Sequence, residues 1–297
     1  MTTDRQRQDG PAPPGSVVAG VRGSDRDDRV IVYAAAEAAR LGAGLHLVRV
    51  VEIDSAGWSI DTPIPFDLIT QVDDTSEAQL ADAVEVARAT GVEVTSQLLA
   101  GTGSHELLRA SAGAAEIVVG SARYGGGRRS FVGTTALSLV AHADCPVLVY
   151  ADPCPDAAGV VVGVDGSSHS GAALDHALEA AARRGARLTV VVTWYVEVVD
   201  GMVVTTPGTP GWEQVERRYR ALVEALLAPR AAAYPNVAVS VSVRRGPAAA
   251  TLAFAGAGAE LLVLGTRGRG ALAGTILGSV TRKVLEMAEC PVALVHA

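Results

Sequence analysis

The chain has 297 residues, 49% of them hydrophobic, and a formal net charge of −7. That length sets a prior of two domains with ample core material, and the acidic balance with unclustered arginines excludes a nucleic-acid-binding face. The single lysine, Lys283, leaves almost no candidate for nucleophilic or Schiff-base lysine chemistry, and no apolar run reaches the length that spans a bilayer, so no membrane association is expected.

Residues 1–14 are polar and proline-rich, lack the apolar core of a signal peptide, and read as a disordered tail. A first strand, Val17–Val21, leads through Arg22-Gly23-Ser24 into an alanine-rich helix over Asp27–Leu41, which Gly42-Ala43-Gly44 stops. A second strand, Leu45–Val51, precedes a loop holding Trp58, Pro63 and Pro65. The pattern predicts a helix over 73–90, a strand over Val92–Leu99, a short helix over Ser104–Ala112 and a strand ending at Gly120. A loop over Ser121–Val132, a helix to His142 and the strand Val147–Tyr150 complete the set.

After the proline-rich linker 152–157 the pattern starts again. Val-Ala-Gly20-Val-Arg22-Gly-Ser returns as Val-Val-Gly163-Val-Asp165-Gly-Ser, and Asp144-Cys145-Pro returns as Glu289-Cys290-Pro. The offsets are 163 − 20 = 143 and 290 − 145 = 145, so a whole domain is duplicated. The expected architecture is α/β: two tandem Rossmann-like domains, 15–151 and 158–297, each an open five-stranded parallel sheet with helices on both faces.

The stretch richest in chemistry lies in the second copy. The apolar run Leu261–Leu264 reads as a buried strand, and Val280–Met287 carries helical spacing. Between them stands Gly265-x2-Gly268-x9-Gly278-Ser279. A glycine loop between strand and helix lets backbone N–H groups approach an anion, and the helix N-terminus adds unpaired donors. Ser279 offers a hydroxyl, and Arg267 and Arg269 offer positive charge. Each glycine taken singly is as well explained by a strand end or a cap; the set points to phosphate. In such sheets ligands sit beyond the strand ends where strand order reverses. The loop should therefore meet Gly163-Val-Asp165 and Val192-Thr193-Trp194.

Other chemistries fit less well. Neither loop has the lysine of a Walker P-loop. Gly268-x-Gly270-x2-Ala273 matches a dinucleotide fingerprint, yet it follows the fourth strand rather than the first. Asp165 equally suits a cap for the following helix, and His169 a solvated first-turn position. The six histidines show no metal or triad spacing, so no catalytic residue and no resident metal are assigned. Cys145, Cys154 and Cys290, sparse and odd in number, suit a reducing compartment, and the cytoplasm is expected. Trp58, Trp194 and Trp212 are candidates for either lids or core plugs.

On these residues the chain resembles the universal stress protein family in its tandem form. The glycine motif matches its ATP-binding branch, the Gly163-Val-Asp165 segment its first strand, and Cys290-Pro291-Val292 the entry to its last. The resemblance implies ATP as ligand, with Mg2+ held by the phosphates. Gly163 and Asp165 would lie at the adenine and ribose end, and Thr193 would line the adenine pocket. Leu264 and Gly265 would contact ribose, while Gly268, Gly278, Ser279 and Val280 would hold phosphates. It also implies a stress-response regulator acting on a protein partner, at most a weak ATPase. Val147–Tyr150 and Val292–His296 would pair within the chain as a pseudo-dimer, with a homodimer of chains as a further expectation. A slow ATPase or nucleotidyl-transfer enzyme, and a nucleotide-free scaffold, are the competing readings.

The first copy departs from the motif, with Arg22 in place of Asp165 and Arg123 in place of Gly268. Its tentative site is Val50, Gly120, Gly133 and Thr134. An arginine at the loop glycine crowds the backbone approach to phosphate, so the second domain is expected to bind nucleotide and the first to bind it poorly.

Overall fold

The computed structural model describes residues 10–24, 27–52, 66–121, 133–268 and 277–297, with the backbone alone at 66–73 and 231. The chain divides into two compact units, one built on residues up to Tyr150 and the other on Ala151–Ala297.

The first unit alternates strand and helix: β1 (Val17–Val21), α1 (Asp27–Leu41), β2 (Leu45–Val51), α2 (Phe66–Arg88), β3 (Val94–Ala100), α3 (Gly103–Ala110), β4 (Glu116–Gly120), α4 (Thr134–His142) and β5 (Val147–Tyr150). Its five strands are parallel in the order β5-β4-β1-β2-β3. Right-handed crossovers put α1 and α2 on one face and α3 and α4 on the other. With both faces covered, β1 is a continuous apolar run whose Val17, Val18 and Ala19 are fully buried. Helix α1 buries Val30, Ile31, Ala34, Ala35 and Ala38, the stripe of an amphipathic helix. It stops at Gly42, which takes the left-handed φ of 65°.

The second unit repeats the order with one insertion: β6 (Val160–Val164), α5 (Ser168–Arg184), β7 (Leu188–Trp194), the hairpin β8 (Val198–Val199) and β9 (Met202–Val203), α6 (Pro210–Leu227), β10 (Val239–Arg245), α7 (Ala248–Gly256), β11 (Leu261–Gly265), α8 (Ser279–Met287) and β12 (Val292–Val295). The sheet order is β10-β7-β6-β11-β12, again all parallel. Both units are therefore Rossmann-like, and strand order reverses at β1/β4 and at β6/β11.

Several boundaries differ from those expected. Helix α2 begins at Phe66 rather than 73, β3 at Val94 rather than Val92, and α3 spans Gly103–Ala110. Gly10–Gly15, expected within a disordered tail, instead packs on the first unit. Ala12 is 1% exposed and its N–H donates to the Ala110 carbonyl at 2.9 Å. The β8–β9 hairpin turns on Asp200 and Gly201, both at positive φ, as a tight Asp-Gly hairpin requires. Trp194 is a core residue and the partly buried Trp212 packs against it. Their rings meet edge to face at 4.9 Å, packed with Val204 and Val215, and the Arg245 guanidinium lies 5.6 Å from the Trp194 ring centre. Trp58 lies outside the described residues.

Burial pushes the Cys145 thiol up to about 11 and the Cys290 thiol up to about 12, which makes both poor nucleophiles at neutral pH. Burial, then repulsion from Arg183 and Arg184, lowers His176 on α5 from 6.5 to about 4. Below pH 6.5 the unfolded chain takes up a proton that the folded chain refuses, so stability falls as pH drops from about 6.5 towards 4. Denaturant titrations across that window should show this slope, and His176→Gln should flatten it.

Candidate functional site

The site is built at the carboxyl ends of β6 and β11, neighbours in the second sheet at the point where strand order reverses. From β6 the chain turns through half-buried Asp165 and through Gly166 at φ 83°. The turn is held internally. Ser167 N–H donates to Asp165 Oδ1 at 2.9 Å, and Gly166 N–H donates to Ser170 Oγ at 3.0 Å. Ser170 N–H donates to Ser167 Oγ at 3.2 Å, capping α5. Asp165 Oδ1 thus braces the turn, while the cap foreseen as the alternative role of Asp165 is supplied by Ser167.

The other wall is the β11–α8 loop, of which the structure describes 265–268 and 277 onward. These two ends are tied together. Gly278 N–H donates to the Thr266 carbonyl at 2.9 Å, and Thr281 Oγ1 donates to the Gly265 carbonyl at 2.9 Å. Gly278 therefore uses its own N–H to close the loop. The N–H groups of Ser279 and Val280 follow at the first turn of α8, where no intrahelical acceptor exists. Thr266 is fully buried, and its hydroxyl has no hydrogen-bond partner among the described residues.

Three glycines make close approaches here, Gly265 to backbone and Gly163 and Gly268 to side-chain ends. A Cβ on Gly265 would stand 2.8 Å from the backbone carbon and oxygen of His169. On Gly268 it would stand 2.5 Å from Asp165 Oδ2, so the loop backbone rests against the Asp165 carboxylate. On Gly163 it would stand 2.7 Å from Leu264 and 2.8 Å from Leu252. Gly163 and Leu264 are both buried, so Gly163 serves packing beneath the site and Leu264 can offer a ligand only its backbone.

Thr193 lies on β7, one residue past the Val164–Val192 pair, level with Asp165. His169, in the first turn of α5, is held below its ordinary value by burial and then by Arg267, against the opposing pull of Asp165. The fold thus brings Asp165, Thr193, Gly265, Gly268 and the Gly278-Ser279-Val280 helix start to one end of one sheet. Arg267 is exposed beside them. Arg269 lies outside the described residues. Among the described residues, no cluster of three or more His, Cys, Asp or Glu side chains could hold a metal ion.

The first unit has the same frame and different contents. Gly120 ends β4, Gly133 precedes α4, Thr134 begins it, and half-buried Val50 pairs with Leu99 on β3. Here, however, the carboxylate of Asp27 fills the β1–α1 turn. It accepts from the N–H groups of Arg22 at 2.6 Å, Gly23 at 2.7 Å and Ser24 at 3.1 Å. Arg49, at the end of β2, and Gln79, on α2, crowd Gly23, and an Arg49 Nη lies 3.4 Å from Ser76 Oγ. Burial lowers the Arg49 guanidinium, with the Asp27 charge opposing that shift. With the offset of 143, Asp27 corresponds to Ser170 and Arg49 to Val192 (27 + 143 = 170; 49 + 143 = 192). Inspection of Arg22 and Arg123 alone missed this pair, although aligning the two copies would have exposed it. Arg123 lies outside the described residues. Thr266 was missed because nothing in its identity signals burial.

Comparison with known proteins places these features in context. The universal stress protein family model matches residues 15–151 and again 159–296. A universal stress protein of Mycobacterium tuberculosis is 35% identical over 288 residues, covering 93% of this chain and 95% of the relative. Another, from Mycolicibacterium smegmatis, is 31% identical over 288 residues and covers 94% and 96%. Among solved structures, a universal stress protein from Archaeoglobus fulgidus covers 95% of this chain and 97% of its own, with a TM-score of 0.69. Its 18% identity makes that a likeness of fold.

Gly163→Ala should destabilise the second unit by about 1–3 kcal/mol through overpacking. Gly20→Ala, whose Cβ would meet Leu107 at 3.2 Å and Val119 at 3.3 Å, should cost less. Urea titrations of the two variants compare these costs directly.

Proposed function

The chain belongs to the universal stress protein family, and from that premise we propose that its second unit binds an adenine nucleotide and that occupancy governs association with a protein partner. The observation that carries this reading is that Gly268, in the glycine loop leading to the α8 N-terminus, rests against the Asp165 carboxylate.

The residues present suit such a ligand. Ser279 and Val280 offer first-turn N–H groups, Ser279 a hydroxyl and Arg267 a cation, in a chain that is otherwise acidic. The buried Thr266 hydroxyl adds a polar group in need of a partner. These would hold phosphates, while Asp165 and Thr193 face the adenine and ribose end and Gly265 contributes backbone. ATP is the proposed nucleotide, with Mg2+ entering on the phosphate oxygens and completed by water. No side chain is assigned as a catalytic base, so the protein acts as a nucleotide-responsive regulator. The buried thiols of Cys145 and Cys290 suit a cytoplasmic setting.

Only the second unit is proposed to bind. In the first, a charged Asp27 carboxylate stands in the turn where the second has the neutral Ser170 hydroxyl, and Arg49 and Gln79 occupy the adjoining space.

Calorimetric titration of nucleotide-stripped full chain with magnesium-ATP should give one site per chain. Gly278→Val should weaken it at least about a hundredfold. Replacing Asp27 and Arg49 by the Ser and Val of the second unit, with Arg123→Gly, should raise the count towards two. Two sites in the unaltered chain would contradict the asymmetry, and none would contradict the nucleotide reading.

A further inference from the structure

The two units treat one surface of their sheets differently. In the first unit, the outer part of the α3 face is covered by Gly10–Gly15. Ala12 is buried there, its N–H bonded to the Ala110 carbonyl, and Gln97 Nε2 donates to the Gly10 carbonyl at 3.3 Å. Beneath it, His46 and Thr95 share a 2.8 Å hydrogen bond. Pro11, Pro13 and Pro14 favour the extended backbone that lies along such a groove.

The second unit carries the matching floor without the cover. Thr189 and Ser240, the counterparts of His46 and Thr95, share a 3.2 Å hydrogen bond. The bond from Gly15 N–H to the Gly113 carbonyl also has its counterpart, from Ala158 N–H to the Gly258 carbonyl at 2.9 Å. One step earlier the likeness ends. Pro155 stands where Ala12 stood (12 + 143 = 155), is exposed, and has no N–H to give to Ala255, the counterpart of Ala110. What remains is a groove of about 350 Å³ between α7 and the faces of β6, β7 and β10. Val161, Val191 and Ala255 line it, and Phe254 stands at its wall with 85% of its surface exposed. Arg187 and Arg244 flank it.

We infer that this groove docks an extended, proline-spaced segment of a partner protein, with a small residue seated where Ala12 sits in the first unit and a carboxylate facing Arg187 or Arg244. The occupant is argued from the first unit, where the chain itself shows what such a groove accepts. The chain's own segment is engaged there, and its linker cannot substitute because of Pro155. The two arginines add the charge preference.

The probe is a labelled peptide of residues 8–16, titrated into the full chain by fluorescence anisotropy. Saturable binding is expected, weakened at least about tenfold by Ser242→Phe, which fills the groove, and by Phe254→Asp, which removes its apolar wall. Enlarging the peptide's Ala12 to Leu should weaken it similarly, and an aspartate added beside it should strengthen it. Circular dichroism of both chain variants checks that they fold. Failure to saturate by about 1 mM, a weak-binding threshold, would overturn the inference. So would binding indifferent to both groove variants, since the peptide would then be exchanging into the first unit. A concentration-dependent dimer of the unaltered chain that both variants dissolve would assign the groove to a second copy and overturn the partner assignment.

Discussion

Everything at the proposed site depends on how closely the backbone leaving β11 approaches the turn leaving β6. Three glycines permit it: Gly163 beneath Leu264 and Leu252, Gly265 against His169, and Gly268 against Asp165. A methyl group at any of them would meet a neighbour at 2.5–2.9 Å, inside ordinary van der Waals contact. The approach sets the Asp165 carboxylate against the loop that leads to the first turn of α8. Thr281 and Thr266 then lock the loop ends by hydrogen bonds to and from the backbone.

The duplicated chain shows how few residues change the outcome within that frame. The first unit keeps glycine at the matching positions, Gly20, Gly120 and Gly133. Its contents invert the electrostatics. A buried aspartate takes three turn N–H groups, and a partly buried guanidinium lies beside it, opposite in sign. Removing either partner would leave a desolvated charge, which is costly, so the pair holds itself in place. In the second unit Ser170 and Val192 occupy those positions. The serine satisfies the turn through its hydroxyl without bringing a charge, and the valine leaves the space open.

The parts of the fold set by periodicity were legible in the sequence. Val17–Val21, Leu45–Val51 and Leu261–Leu264 are apolar runs, and α1 has a clear stripe, so strands, helices and the duplication followed directly. The convergence of Asp165, Thr193 and the glycine loop also followed, because parallel βα topology places strand ends together. Features set by tertiary contact were not legible. Gly10–Gly15 is glycine- and proline-rich, the composition of a free tail, and the groove beside α3 orders it. The family resemblance sets Gly163 at the adenine and ribose end, and its packing against Leu264 and Leu252 depends on tertiary contacts that the sequence does not name. Asp27 marks only a helix start in the sequence, and its reach back to Arg22, Gly23 and Ser24 depends on a turn geometry that spacing alone does not specify.

Hydrogen–deuterium exchange of the full chain, with and without magnesium-ATP, tests the central claim most directly because it reads each unit's backbone donors separately. The account predicts slowed exchange at 277–282, the start of α8, on adding nucleotide. It predicts no change at 133–137, the matching start of α4 in the first unit. Equal slowing in both units, or none in either, would contradict it.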